Sequence, residues 1–471
     1  MVIAVVGAGG KTSYIKEKAK EYLQQGKKVF VTTTTHMFIE EDTLLSDDAD
    51  YIIRKLEQEH YVMAGIPEGI KIRSLSKETY EKVCQHADIV LIEADGSKHM
   101  PVKYPKEGEP VIYENVDEVV VICGLHALGR RLSEAAHRVE LVKQCLQIKE
   151  DEVLQPSHIQ KLVMKGYVEP MREKYPEKNI VIKPTTDNSL YQRAIAKLLE
   201  AEADVSMLKK EWFQPQPTLM ICGAGHVSSD LVKMASCLDF RIKVMDDREE
   251  FVNRERFPEA DELICDTFDH LEKYLEPNAY YVVVTRGHQE DYDCVKTILS
   301  HSYQYLGMIG SKLKVKKTFE KLENAGVPKE KIASIFAPIG LEIHAVTPAE
   351  IAISILGQII FEKNTKQSAS ASRELLETTE PGVLCIIIEK TGSSPRGAGS
   401  MMFVTDSKVI GSIGGGAIEF AAIQDARKIT DVMTKWYHLD NEKSRELGMI
   451  CGGSNKVLFI PVGDVHSCCL L

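Results

Sequence analysis

Short apolar runs closed by glycines or acids recur along most of the chain and alternate with amphipathic stretches of helical period. Val2-Ile-Ala-Val-Val6 leads into a glycine turn, and a helical pattern follows near Thr12–Gln25. Further strands are predicted at Lys28–Thr33 and at Asp88–Ile92. Runs that are apolar on both faces are what a parallel sheet needs when helices cover it on each side. The alternation resumes at Thr218-Leu-Met-Ile-Cys222 and runs to a long apolar helix, Pro348–Glu362. This order predicts α/β architecture. Beyond it, glycine turns separate the short runs Val383–Ile388, Met401–Val404 and Val457–Val462, the pattern of a small α+β unit. Two stretches break the pattern and read as linkers: Lys209–Pro217, and the small, polar Asn364–Ser372. Three domains follow, spanning 1–208, 217–363 and 373–471, with no internal repeat.

Composition narrows the function classes. The 471 residues carry 58 Lys plus Arg against 69 Asp plus Glu, a net charge of −11. That balance argues against nucleic acid or an anionic membrane as the main partner. No apolar run approaches the roughly 20 residues that span a bilayer, and the N-terminus enters a strand with no basic leader, so a cytoplasmic protein is expected. The 11 cysteines are odd in number and form no Cys-x-x-Cys, which speaks against a disulfide framework or a structural zinc site. The terminal Cys468-Cys469-Leu470-Leu471 loosely matches a prenylation box, and chance is the better reading.

The first glycine turn, Gly7-Ala-Gly9-Gly10-Lys11-Thr12-Ser13, sits between a strand and a helix, where backbone N–H groups hold phosphates. In such a P-loop-like domain Lys11 would neutralise phosphate charge and Thr12 would join a Mg²⁺ shell. Val5 stands where a strict P-loop has glycine. The strand ending Glu93-Ala-Asp95 resembles the acidic strand that holds Mg²⁺, with Asp95 the chosen ligand. The plainer alternative is a glycine-rich turn with an incidental lysine. Together with Thr32-Thr-Thr-Thr35-His36, Gly96 and Glu109-Pro-Val-Ile112, this segment resembles the selenium-dependent hydroxylase accessory protein of the YqeC type, over roughly residues 1–205.

The second turn, Gly223-Ala-Gly225-His-Val-Ser228, follows a strand and opens a helix, and the next strand, Ile242–Met245, ends at Asp246-Asp247. That is a Rossmann-like dinucleotide fingerprint with Ser228 in place of its third glycine. Arg286, His288 and Lys312 follow later strands and are expected to line the same crevice. With Ala337–Leu341 and Thr347–Ile351, these stretches closely resemble the Rossmann domain of the xanthine dehydrogenase accessory family (XdhC/CoxI), with His344 standing near a position usually small.

In the tail, Gly392-Ser-Ser-Pro-Arg396, Gly414-Gly415-Gly416-Ala-Ile-Glu419 and Met449-Ile-Cys451-Gly-Gly453 resemble the other domain of that accessory family. The family normally places it before the Rossmann domain, so the order here is permuted. Arg396 suits a phosphate, and Cys451, flanked by glycines, suits a soft metal or sulfur relay; a buried thiol in a tight turn is the plainer alternative. The resemblance implies a maturation factor for molybdenum hydroxylases of the xanthine dehydrogenase type. It would bind the molybdenum cofactor, as molybdopterin or its dinucleotide form, and assist sulfuration and insertion. Implied partners are the apo-hydroxylase, a cysteine desulfurase or other sulfur or selenium donor, and a second copy of the chain. Cys451 would face the metal; Arg396, Gly414–Gly416, Glu419, Gly223, Gly225, Asp246, Arg286 and His288 would hold the cofactor. Gly9, Gly10, Lys11, Thr12 and Asp95 would hold a Mg-nucleotide. The rivals are an NAD(P)-dependent oxidoreductase and a P-loop kinase or NTPase regulated by the C-terminal domains.

Overall fold

A computed structural model describes residues 1–365, 371–392, 396–438 and 453–463. The chain divides into two compact units: residues 1–209 together with 377–471, and residues 210–376.

The first unit begins with β1 (Val2–Ala8), α1 (Lys11–Gln24), β2 (Val29–Thr33), β3 (Tyr61–Glu68) and β4 (Ile89–Glu93), then β5 (Glu118–Gly124) and β6 (Asn179–Thr185). These strands pair in parallel in the order β6-β5-β1-β4-β2-β3. The chain first builds outward on one side of β1, returns to set β4 beside it, and crosses to β5 and β6 on the other side. Strands β1, β2 and β4 are buried along their whole length, as continuous apolar runs require. Two short antiparallel strands, His36–Phe38 and Lys71–Arg73, extend the β3 edge.

Helix α2 (Leu190–Glu200) closes this segment. The second unit then holds β7 (Thr218–Cys222), α3 (His226–Ala235), β8 (Arg241–Asp246), β9 (Glu262–Cys265), β10 (Tyr280–Val283), α4 (His288–Leu299), β11 (Tyr305–Met308), α5 (Lys312–Asn324) and α6 (Pro348–Thr365). Its five strands are all parallel, in the order β9-β8-β7-β10-β11. Apolar clusters fill both faces of the sheet. The linker expected at 209–217 is partly structured: Lys210–Phe213 forms a 3₁₀ turn that buries Trp212 and Phe213. Two large aromatic rings outweigh the local polarity. Pro215 bridges Ala371, and Ala371 N–H donates to the Gln214 carbonyl at 3.0 Å, so the segments entering and leaving this unit meet at one point.

The rest of the first unit is β12 (Gly382–Gly392), β13 (Met401–Val404), β14 (Val409–Gly411), α7 (Gly416–Ala426), β15 (Met433–His438) and β16 (Gly453–Val462). The strands form an antiparallel sheet in the order β14-β13-β12-β16-β15. It is tied to α2 by Arg193, whose guanidinium donates to the carbonyls of Thr378 at 2.8 Å, Glu380 at 3.3 Å and Gly463 at 2.6 Å. Among the described residues, no helix is long and apolar enough to cross a membrane.

Candidate functional site

The glycine turn after β1 is drawn tight against β5. A Cβ on Gly7, whose φ is +93°, would lie 2.1 Å from the Ile122 carbonyl oxygen, so glycine is required there. Gly10 precedes α1 at φ +132° and carries Lys11 and Thr12 into its first turn. Lys11 Nζ donates to the Gly7 carbonyl at 2.7 Å and to Ser97 Oγ at 3.2 Å, and lies 3.2 Å from Asp95 Oδ1. Asp95 is fully buried. Its Oδ2 accepts from Gly7 N–H at 3.1 Å and Tyr167 O–H at 2.9 Å, and pairs with Lys103 at 2.9 Å. Lys103 reaches on to Glu109 at 3.2 Å, which Arg138 grips with two N–H groups at 2.6 and 2.8 Å. Burial pushes the Tyr167 hydroxyl well above its ordinary value, reinforced by the Asp95 charge beside it. Glu93 ends β4 next to β1, and its Oε2 accepts from Thr12 Oγ1 at 3.1 Å. Burial raises the Glu93 carboxyl, against the pull of Lys11 and Thr12.

The threonine run spends its hydroxyls on the fold. Thr32, Thr33 and Thr34 donate to the carbonyls of Ala64, Glu93 and Val111 at 3.0, 2.8 and 3.1 Å. His36 lies exposed and pairs with Glu68 at 2.9 Å.

In the second unit, Gly223 is forced by a close approach: a Cβ there would lie 2.4 Å from the Val284 carbonyl oxygen. Ser228 Oγ donates to the Gly223 carbonyl at 2.6 Å, tying α3 to β7. Gly225 caps α3, and a Cβ on it would meet open space. Asp246 is turned inward. It accepts from Ala224 N–H at 2.7 Å and from Arg248 at 2.8 and 3.0 Å. Burial alone would raise its carboxyl, but Arg248 and the Ala224 N–H hold it below the usual range. Arg286 reaches Asp247 at 3.0 Å, and His288 is exposed at the start of α4. Beneath that loop, buried Asp291 accepts from Thr285 Oγ1 at 2.6 Å and pairs with Lys314. Lys312 and Val315 of α5, with Ala337 and Pro338, line an open groove of about 420 Å³. His344 lies exposed at φ +59°.

In the tail, Gly414, Gly415 and Gly416 have φ of +126°, +72° and +66° in succession. Glu419 gathers that turn, accepting from Ser412 Oγ at 2.6 Å, Ile413 N–H at 2.9 Å and Gly415 N–H at 3.0 Å. Arg396 Cβ would stand 3.5 Å from a Cβ on Gly414. Cys451 lies outside the described residues. Among the described residues, no three His, Cys, Asp or Glu side chains form a metal cluster.

Three family models match separate stretches: the YqeC protein at residues 3–140, the XdhC Rossmann domain at 219–359, and the XdhC and CoxI family at 375–434. The uncharacterized protein YqeC of Escherichia coli (strain K12) is 35% identical over 174 residues, covering 34% of this chain and 67% of that protein. The chain belongs to the YqeC family. Fused behind its YqeC-type part are the two XdhC-type parts, Rossmann first. The uncharacterized protein YqeB of the same organism is 30% identical over 198 residues, 41% of this chain and 36% of that protein. A probable xanthine dehydrogenase subunit of Bacillus subtilis (strain 168) is 30% identical over 149 residues, 31% of this chain and 43% of that protein. The chain thus spans about a third of YqeB and less than half of the Bacillus protein.

In the YqeC-type part, the structure brings Lys11 to Asp95 and Thr12 to Glu93. In the XdhC Rossmann part it sets Asp246 under the glycine turn, while Arg286 and His288 remain at the surface. In the last part it brings Arg396 against Gly414. Sequence reading missed Lys103, Arg138 and Tyr167. Tyr167 sits on a π-helical turn, Met164–Val168, a feature frequent at functional sites but without a sequence signature.

Proposed function

We propose that this chain matures a molybdenum hydroxylase of the xanthine dehydrogenase type. It binds the molybdenum cofactor, assists its sulfuration, and hands it to the apo-enzyme. The observation that carries this reading is the union of a YqeC-type part with both XdhC-type parts in one chain. The Bacillus relative, whose name places it with a xanthine dehydrogenase, supports it.

The chain's own groups suit this cargo, whose pterin carries phosphate or a nucleotide tail and whose molybdenum, once delivered, supplies the hydroxylase's redox chemistry. Three successive positive-φ glycines let the backbone come close to a bulky ligand without a side chain in the way. Glu419 fixes that turn, and Arg396 beside it offers a forked donor. The open N-terminus of α3 at Gly225 offers a second anion-facing surface, and Arg286, paired with Asp247 and Glu290, and exposed His288 follow β10 of the same sheet. Cys451 supplies a thiolate to the metal side or relays sulfur from a desulfurase or other donor. Lys11 and Thr12 serve a separate Mg-nucleotide. Asp246 is already engaged by Ala224 and Arg248, which weighs against a ribose hydroxyl, and so against NAD(P).

The test is anaerobic incubation of the purified protein with released molybdenum cofactor, read by metal content and visible absorbance. Near-stoichiometric binding that weakens in Cys451→Ala and Arg396→Ala supports the reading, and Lys11→Ala retains that binding. Absence of binding by the wild type refutes it.

A further inference from the structure

Glu93, which ends β4, and Asp95, two residues on, are both buried but differ in their partners, a hydroxyl for one and two ammonium groups for the other, and that contrast divides their work. We infer that Thr12 and Glu93 form the magnesium-facing pair of the glycine turn, and that Asp95 is a positioning residue that fixes Lys11 and Lys103. The inference rests on the nucleotide reading of this turn and sharpens it.

Mg²⁺ demands oxygen ligands, keeps several waters, and is held by one or two protein groups plus the phosphates of its nucleotide. Thr12 and Glu93 meet that description. The hydroxyl and the carboxylate lie 3.1 Å apart. Thr12 belongs to the first turn of α1, where phosphates bind, and Glu93 ends the neighbouring strand in register with Val5 of β1. Asp95 does not. It has no solvent exposure, and its carboxylate is ringed by the Lys11 ammonium at 3.2 Å, the Lys103 ammonium at 2.9 Å, the Gly7 N–H and the Tyr167 O–H. A divalent cation at Asp95 would meet two ammonium groups at contact distance in a medium that screens poorly. It would also have no room for its waters.

The same ring gives Asp95 its task. Without that carboxylate the two buried ammonium groups repel each other, and Lys11, whose carboxylate contact is Asp95, loses its place in the turn, while Lys103 keeps Glu109. Lys11 is held 2.7 Å from the Gly7 carbonyl of the glycine turn, and Lys103 2.9 Å from the Gly96 carbonyl just past β4. Tyr167 supports the arrangement from the π-helical turn.

The experiment titrates full-length protein with N-methylanthraniloyl ATP, and in parallel with the GTP analogue, in EDTA and in Mg²⁺. Mn²⁺ paramagnetic resonance reports the metal directly. In the wild type, Mg²⁺ tightens binding by about tenfold or more. Glu93→Gln abolishes that tightening and the bound Mn²⁺ signal while its EDTA affinity stays within about twofold of wild type. Asp95→Asn weakens binding equally with and without metal. Tyr167→Phe does the same more mildly, and carries the test if Asp95→Asn does not fold. The opposite pattern, with metal dependence kept in Glu93→Gln and lost in Tyr167→Phe or Asp95→Asn, overturns the assignment. Wild-type binding that is equal in EDTA and Mg²⁺ overturns the metal pair alone. No wild-type binding of either analogue overturns the nucleotide reading beneath it.

Discussion

Glu109 holds its charge against two opposed pressures. Burial pushes its carboxyl up, while the Arg138 fork and the Lys103 ammonium hold it down to about 2. Its folded value lies below the unfolded one, so the stabilisation is present above about pH 4.5 and is lost as pH falls towards 2. Urea unfolding followed across that window should show the wild-type midpoint falling more steeply than that of Glu109→Gln. Asp246→Asn should cost about 1–3 kcal/mol, because the Arg248 guanidinium loses the nearer of its two charge partners and the buried Ala224 N–H loses a charged acceptor. Thermal unfolding of the two proteins measures it. Lys11 and Thr12 were legible because a glycine turn between strand and helix is a local signal. Lys103, Arg138 and Tyr167 were not. They join the same network from distant positions, and nothing beside them in the chain marks a charged or hydroxyl group as a partner of Asp95.

Elements divide the same way. The strands read correctly from sequence, such as β1, β4 and β7, are buried on both faces and show unbroken apolar runs. Strand β6, Asn-Ile-Val-Ile-Lys-Pro-Thr, ends the sheet as an edge strand, so it tolerates Lys183 and Pro184 and loses the signal. Strand β3 carries Gly65 and Pro67 and is masked likewise. Helix α2 has a role its amphipathic pattern does not announce, because Arg193 is buried and its partners are backbone carbonyls. Arg193→Ala should loosen β12 and β16 from α2 by about 1–3 kcal/mol. Hydrogen exchange should rise in Gly382–Gly392 and Gly453–Val462 while β1 and β5 keep their protection. Equal protection everywhere would show that Arg193 ties nothing.

At the scale of the molecule, the central unit is an insertion whose entering and leaving segments are bridged at Pro215 and Ala371. Insertions of this kind are tolerated where both ends lie together. Replacing residues 210–376 by a short glycine-serine linker should leave a cooperatively folded protein, judged by its thermal transition and far-ultraviolet dichroism. Loss of the transition would mean that the flanking segments depend on the insertion to fold. Polar, small-residue stretches at 209–217 and 364–372 are legible as linkers, whereas the joining of the flanks is not, since Arg193 and its acceptors share no local pattern. That joining also sets a timetable for the chain's birth. Gly463 follows Arg193 by 270 residues. At a synthesis rate of roughly 5–20 residues per second, the arginine waits on the order of 10–50 s for its last acceptor. During that wait the face of α2 that β16 will cover stands open, with a cation destined for burial among its residues.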